Sequence, residues 1–206
     1  MSLASELQQG ITALKLKISP RDQQRLLDYL ALLQKWNKVY NLTALREPEK
    51  MVSHHLLDSL AVVPHIKAHH ILDVGSGAGL PGIPMAIARG DWRVTLLDSS
   101  HKKAAFLKQA AIELKLSNVT VCCERVEAWQ PEQKFDLIIS RAFSDLVEFV
   151  TLSKPLLQEG GIFAAMKGIY PHEEIALLPN GYRLERVIPL KIPGLETQRH
   201  LVMVKA

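Results

Sequence analysis

The sequence predicts an α/β fold: a seven-stranded, mostly parallel, doubly wound (Rossmann-like) sheet whose last strand runs antiparallel, preceded by a helical N-terminal extension. Three observations lead there. From Ile71 onward, short runs rich in β-branched residues alternate with segments of helical length, which means right-handed βαβ units and a parallel sheet covered on both faces. Residues 1–69 contain no strand-like run. The last two strand-like runs are joined by about ten residues, too few for a helical crossover, so they form an antiparallel hairpin at one edge.

Taken in order, the extension offers Ser19 as the cap of a helix with Pro20 at its first position and Asp22 in its first turn. Leu26, Leu30, Leu33 and Tyr40 then share one face with Trp36 beside it, and both aromatic residues are expected in the core. A second helix begins near Pro48 and runs through Met51, His55 and Leu60 to about Val63, where Pro64 ends or kinks it. Strands follow at 71–74, 93–97, 119–123, 135–140, 161–166, 182–190 and 200–205, with helices at 80–89, 102–115, 126–129, 144–158 and 172–178. The organisation is therefore an extension over 1–69 and a cofactor-binding domain over 70–206.

With 206 residues, 48% apolar and 22% charged, the chain has an ordinary globular composition and excludes disordered, collagen-like and coiled-coil classes. The net charge of +4 is mild, but residues 1–69 carry nine basic and six acidic side chains while 70–206 are nearly balanced. Adjacent Cys122 and Cys123 suit neither an ordinary disulfide nor a metal site, so they read as buried packing residues in a reducing compartment. No apolar run approaches the roughly 18 residues of a membrane span, and no secretory leader is visible, so the expectation is a cytoplasmic protein with no membrane contact. His54, His55, His65, His69 and His70 lack a completing carboxylate or cysteine set, and no metal is expected. Asp58, three residues after His55, is expected to pair with it and tether the extension to the sheet. Lys102, Lys103 and Lys108 form either a solvated helix face or an RNA contact.

The strand Ile71-Leu72-Asp73-Val74 runs directly into Gly75-Ser76-Gly77-Ala78-Gly79-Leu80-Pro81-Gly82. A strand, a glycine-rich turn and a helix start together make a cofactor cradle at the carboxyl edge of a parallel sheet. The stretch Gly77 to Gly82 formally fits the dinucleotide pattern, with Asp98 21 residues after Gly77. That leaves a nicotinamide-dependent oxidoreductase as one alternative. Asp98 closes its strand and can accept hydrogen bonds from both hydroxyls of a ribose, while Arg125-Val126-Glu127 should lie beside an adenine with Val126 against its face.

The fuller pattern, acidic Asp73 before Gly75, Gly77 and Gly79, resembles the first motif of S-adenosylmethionine-dependent methyltransferases, whose sheet also ends in an antiparallel strand. Trp36-Asn37, Asn41-Leu42-Thr43, His55-Leu56-Leu57-Asp58-Ser59, Ser140-Arg141-Ala142-Phe143, Met166-Lys167-Gly168 and Arg199-His200-Leu201-Val202 resemble, in the same order, the RsmG (GidB) family of bacterial 16S ribosomal RNA guanine-N7 methyltransferases. His54 departs from the resemblance, which implies Arg at that position and a basic contact there. The resemblance implies S-adenosylmethionine as cofactor and guanine 527 of 16S rRNA in the small ribosomal subunit as target; a monomer is expected. It implies a cofactor site of Asp73, Gly75, Gly77, Gly79, Leu80, Asp98, Val126, Glu127 and Arg141. Catalysis or substrate positioning would fall to Arg141, Lys167, Arg199 and His55. A non-catalytic RNA-binding assembly factor with the same cofactor fold is the second alternative.

Overall fold

The computed structural model describes residues 2–141, 143 and 145–206. Ala142 of the Ser140–Phe143 match and Ser144, the expected first residue of helix 144–158, lie outside the described residues.

The extension contributes α1 (Leu3–Ala13) and α2 (Pro20–Tyr40). Ser19 caps α2, accepting from the Asp22 N–H at 3.1 Å as its sequence anticipates. A short α3 (Pro48–Met51) then opens into six residues of π-helix, Val52–Leu57, before α4 (Asp58–Leu60) and a 3₁₀ turn over Val63–His65. The expected single helix to Val63 is thus continuous but wound in three ways.

The sheet follows as β1 (His70–Val74), β2 (Arg93–Leu97), β3 (Val119–Cys122), β4 (Phe135–Ser140), β5 (Leu157–Lys167), β6 (Arg183–Pro189) and β7 (His200–Lys205). Between them lie α5 (Gly82–Ala88), α6 (His101–Glu113), α7 (Leu146–Ser153) and α8 (His172–Ala176). The strand order is β3-β2-β1-β4-β5-β7-β6, with β7 antiparallel to both β5 and β6. This insertion of a reversed β7 departs from the dinucleotide-binding order 3-2-1-4-5-6.

Side-chain alternation divides the core. Ile71, Val94, Leu137, Ile139, Met166, Leu201 and Met203 line the face shared by α5, α6 and the extension, whose Leu7, Leu26, Leu30 and Leu57 belong to the same buried cluster. Leu72, Val74, Ile138, Phe163, Val202 and Val204 face α7. The hydrophobic core is therefore continuous from the extension into one side of the sheet.

Four expectations change. The stretch 126–129 is a single turn, with the Ala128 and Trp129 N–H groups donating to the Arg125 carbonyl, because so short a segment cannot offset helix nucleation. The helix expected to reach 158 stops at Ser153; Pro155 sits in a 3₁₀ turn, Lys154–Leu156, and β5 begins at Leu157. Tyr40, at the last position of α2, is 43% exposed, and Trp36 is half-buried against Phe106. Cys122 and Cys123 are half-buried, because β3 is an edge strand with only one neighbour.

Candidate functional site

Two clefts open at the carboxyl edge of the sheet, where β1 and β4 part company to right and left. The first, about 420 Å³, is lined by Gly75, Asp98, Ser99, Lys103, Arg125, Val126, Glu127, Phe143 and Glu148 among others. The second, about 450 Å³, is lined by Thr43, His55, Asp58, Arg141, Met166, Lys167, Gly168 and Arg199 among others. The exit from β4 runs between them: Arg141 borders the second cleft and Phe143 the first.

The glycine turn is held from beneath. Gly77 has φ of 58°, a conformation that side-chain-bearing residues rarely adopt, and its N–H donates to Asp98 Oδ2 at 2.8 Å. Asp98 Oδ1 accepts from the Ser100 N–H at 2.9 Å, so one carboxylate fixes the turn and the start of α6 together. Gly82 allows close approach: a Cβ there would sit 2.3 Å from Leu96 Cδ2 and 2.7 Å from Asp73 Oδ2. The N–H of Gly82 donates to that Asp73 oxygen at 2.9 Å.

Asp73 is fully buried and borders neither cleft; its Oδ2 serves the turn, while its buried Oδ1 has no hydrogen-bond partner among the described residues. Burial pushes its carboxyl up to about 7, opposed by the Gly82 N–H. Gly79 and Leu80 are packing positions too: a Cβ on Gly79 would meet Ile83 Cδ1 at 2.4 Å, and Leu80 is buried in the core. Of the expected cofactor residues, Gly75, Asp98, Val126 and Glu127 share the first cleft, while Arg141 lies in the second.

Sequence reading missed Tyr29. It is buried in α2, and its hydroxyl donates to the Ala78 carbonyl at 2.7 Å, so the extension clamps the glycine turn directly. Only its spacing in the apolar face of α2 hinted at burial. Tyr29→Phe should cost about 1–2 kcal/mol by leaving that carbonyl without its donor, readable as a lower denaturation midpoint and a several-fold weaker cofactor affinity. Lys103 was also left undecided by sequence; it reaches Asp98 Oδ2 at 3.8 Å and borders the first cleft, whereas Lys102 and Lys108 are exposed.

Arg141, Lys167, Arg199 and His55 all border the second cleft. Alternation explains how they are aimed. Arg141 continues the parity of Leu137 and Ile139, and Arg199 that of Leu201 and Met203, so both point toward the extension. There Asp58, 2% exposed, accepts from Arg141 Nη1 at 3.2 Å and from Arg199 Nε at 3.1 Å. Lys167 has the opposite parity and is held by Glu174 of α8 at 2.7 Å.

The expected His55–Asp58 pair is not formed. In the wider π-helical turn, residues three apart do not face each other as they do on an α-helix. His55 Nε2 instead lies 3.1 Å from Thr43 Oγ1, and the tether between extension and sheet is Asp58 with the two arginines. Burial, then the neighbouring Arg141 charge, pull the His55 imidazole down to about 4, so it is neutral at physiological pH.

His55 and Asp73 tilt stability in opposite directions. The neutral His55 of the fold contributes stability fully present above 6.5 and lost as pH falls through 4. Asp73, its folded pKa raised, contributes stability present below 3.8 and lost as pH rises through 7. Each slope is about 1.4 kcal/mol per pH unit at full effect, and the two oppose across the acidic range. His55→Gln should therefore make stability decline more steeply than the parent's as pH rises from 4 to 6.5; coincident parent and variant profiles in denaturant titrations would contradict this.

Among the described residues, no group of three or more His, Cys, Asp or Glu is placed to hold a metal ion, and no helix is long and apolar enough to cross a membrane.

The solved structures similar to this chain include a SAM-dependent methyltransferase from Aquifex aeolicus, with TM-score 0.62 and 17% identity over 84% of this chain and 98% of that one. An O-methyltransferase from Bacillus cereus in complex with SAH has TM-score 0.57 and 18% identity, over 86% and 90%. Both establish the fold. Sequence relatives are closer: the ribosomal RNA small subunit methyltransferase G of Laribacter hongkongensis is 58% identical, covering 98% of each chain. That of Chromobacterium violaceum is 57% identical, covering 96% of this chain and 95% of its own. The model of the GidB family, described as rRNA small subunit methyltransferase G, matches residues 22–202, and with relatives this similar over nearly the whole length the chain belongs to that family.

Proposed function

We propose that the chain transfers a methyl group from S-adenosylmethionine to N7 of a guanine, guanine 527 by family resemblance, in 16S rRNA of the small ribosomal subunit. The observation that carries this reading is the pair of clefts flanking the β4 exit, one built for a nucleoside cofactor and the other lined by Arg141, Lys167 and Arg199.

The first cleft fits the cofactor. Its volume lies within the roughly 300–1,000 Å³ of small-molecule sites. Each Asp98 oxygen spends one acceptor position on backbone and keeps another for a ribose hydroxyl. Val126 supplies an apolar surface for a base, and Gly75 brings bare backbone to the cleft wall. When bound, S-adenosylmethionine supplies an electrophilic methyl group on a sulfonium centre.

Guanine N7 carries a lone pair and no proton, so the chain has no base to provide and its work is alignment and exclusion of water. Neutral His55 suits such a site because it adds no positive charge where a cationic methylguanine forms. The three cations are tempered for the same reason, Arg141 and Arg199 by Asp58 and Lys167 by Glu174. With its Nη1 engaged by Asp58, the Arg141 guanidinium keeps donors for the base edge or a phosphate. N7 of paired RNA lies in a deep, narrow groove, so the target is an unstacked base.

The enzyme acts as a monomer on assembled or partly assembled small subunits in this reading. Incubation with methyl-labelled S-adenosylmethionine and small subunits from a strain lacking the activity should place label in 7-methylguanosine; absence of label there would sink the reading.

A further inference from the structure

The outer lip of the second cleft is made by residues adjacent to its lining. Gly168 and Arg199 border the cleft, and Ile169 and His200 follow them in sequence. His200 Nδ1 lies 2.8 Å from the Gly168 carbonyl oxygen, which fastens the start of β7 to the segment leaving β5. The Tyr170 ring lies 4.2 Å from the His172 ring, inclined by 34°, and 5.7 Å from the His200 ring, edge-on at 79°. Ile169, before this stack, is 80% exposed.

A lone exposed isoleucine is ordinary. This one precedes in sequence a tyrosine ring that packs against two histidine rings at the border of a cationic cleft. Among the described residues, the ring contacts of Tyr170 are with those two histidines, not with the aromatic residues of the core. An apolar and aromatic lip beside arginines matches single-stranded nucleic acid, whose bases present apolar faces and whose phosphates need cations. A protein partner large enough to dock would favour a broader apolar patch without that charge.

We propose that Ile169 and the cluster of His172 and His200 around the Tyr170 ring form a ledge on which an unpaired base flanking the methylated nucleotide packs, so that the target base is presented to the adjoining cleft. This rests on the reading of that cleft as the RNA site.

Two variants and one probe test it. With small subunits lacking the modification, Ile169→Ala should raise KM about 3- to 10-fold, more than it lowers kcat, while calorimetric affinity for S-adenosylhomocysteine holds. Ile169→Trp, offering a larger stacking face, should keep KM at or below the parent value. Unchanged KM in the alanine variant, or an equal rise in both, overturns the ledge. Photoreactive p-benzoylphenylalanine at position 169 should crosslink to 16S rRNA; no adduct, or an adduct with a ribosomal protein alone, overturns RNA as the occupant. Should the parent put no label into 7-methylguanosine, the methylation reading fails and the crosslink still decides the ledge.

Discussion

Replacing Asp98 with alanine is expected to weaken S-adenosylhomocysteine binding by about 100-fold or more and to abolish methylation at ordinary cofactor concentrations. The carboxylate is 5% exposed and holds the Gly77 N–H at 2.8 Å and the Ser100 N–H at 2.9 Å. Hydrogen bonds to a charged acceptor contribute about 1.5–3 kcal/mol each, and the variant loses both anchors together with the proposed ribose acceptor. Asp98→Asn isolates the causes. It preserves shape and one acceptor oxygen, but sets an amide NH₂ against a backbone N–H, so it should bind better than alanine and worse than the parent. Isothermal calorimetry reads the series directly, and an alanine variant within threefold of the parent would remove Asp98 from the cofactor site.

The second large effect is expected at Asp58. Asp58→Ala leaves Arg141 and Arg199 side by side without their shared carboxylate. Removing one partner of a fully buried charge network costs about 3–5 kcal/mol. Both arginine side chains are roughly one-quarter exposed, so water offsets part of this and a loss of about 2–3 kcal/mol is the expectation. Activity should fall further than stability explains, because two guanidiniums lose their aim at once. The double variant Asp58→Ala/Arg199→Met tests the coupling: removing one of the orphaned cations should recover part of the stability while activity stays low. Equal and additive stability losses would show that Asp58 and Arg199 act independently.

The parallel sheet was legible in the sequence because seven β-branched runs and their intervening lengths leave few topologies open. The glycine turn was legible because three positive-φ positions so close together favour glycine, which takes those backbone angles without steric cost. Roles within the turn were not. Gly79, Leu80 and Asp73 belong to the same motif as Gly75, yet they face inward, since alternate residues and tight packing assign a motif's members to different sides. The second cleft was legible as a set of residues and not as a wiring diagram. An i,i+3 rule presumes α-helical winding, and nothing local in Val52–Leu57 announces a π-turn. The strand parity of Arg141 and Arg199 was available and pointed toward the extension, so that signal could have found their partner. Tyr29 was invisible for another reason: its partner is a backbone carbonyl 49 residues away.

The place of β7 has a consequence for how the molecule comes together. β6 is synthesised before β7, yet its only neighbour in the sheet is β7, which in turn needs β5. Until β7 arrives, β5 is a bare margin and β6 is a strand without a seat, both open to pairing with another chain. Ordering of the 190–199 connection is the step that ends this interval, and the same step delivers Arg199 to Asp58. Seating β7 beside β5 and bringing Arg199 to Asp58 are therefore one structural event. Slowing that closure should raise aggregation during refolding before it lowers the activity of molecules that complete it.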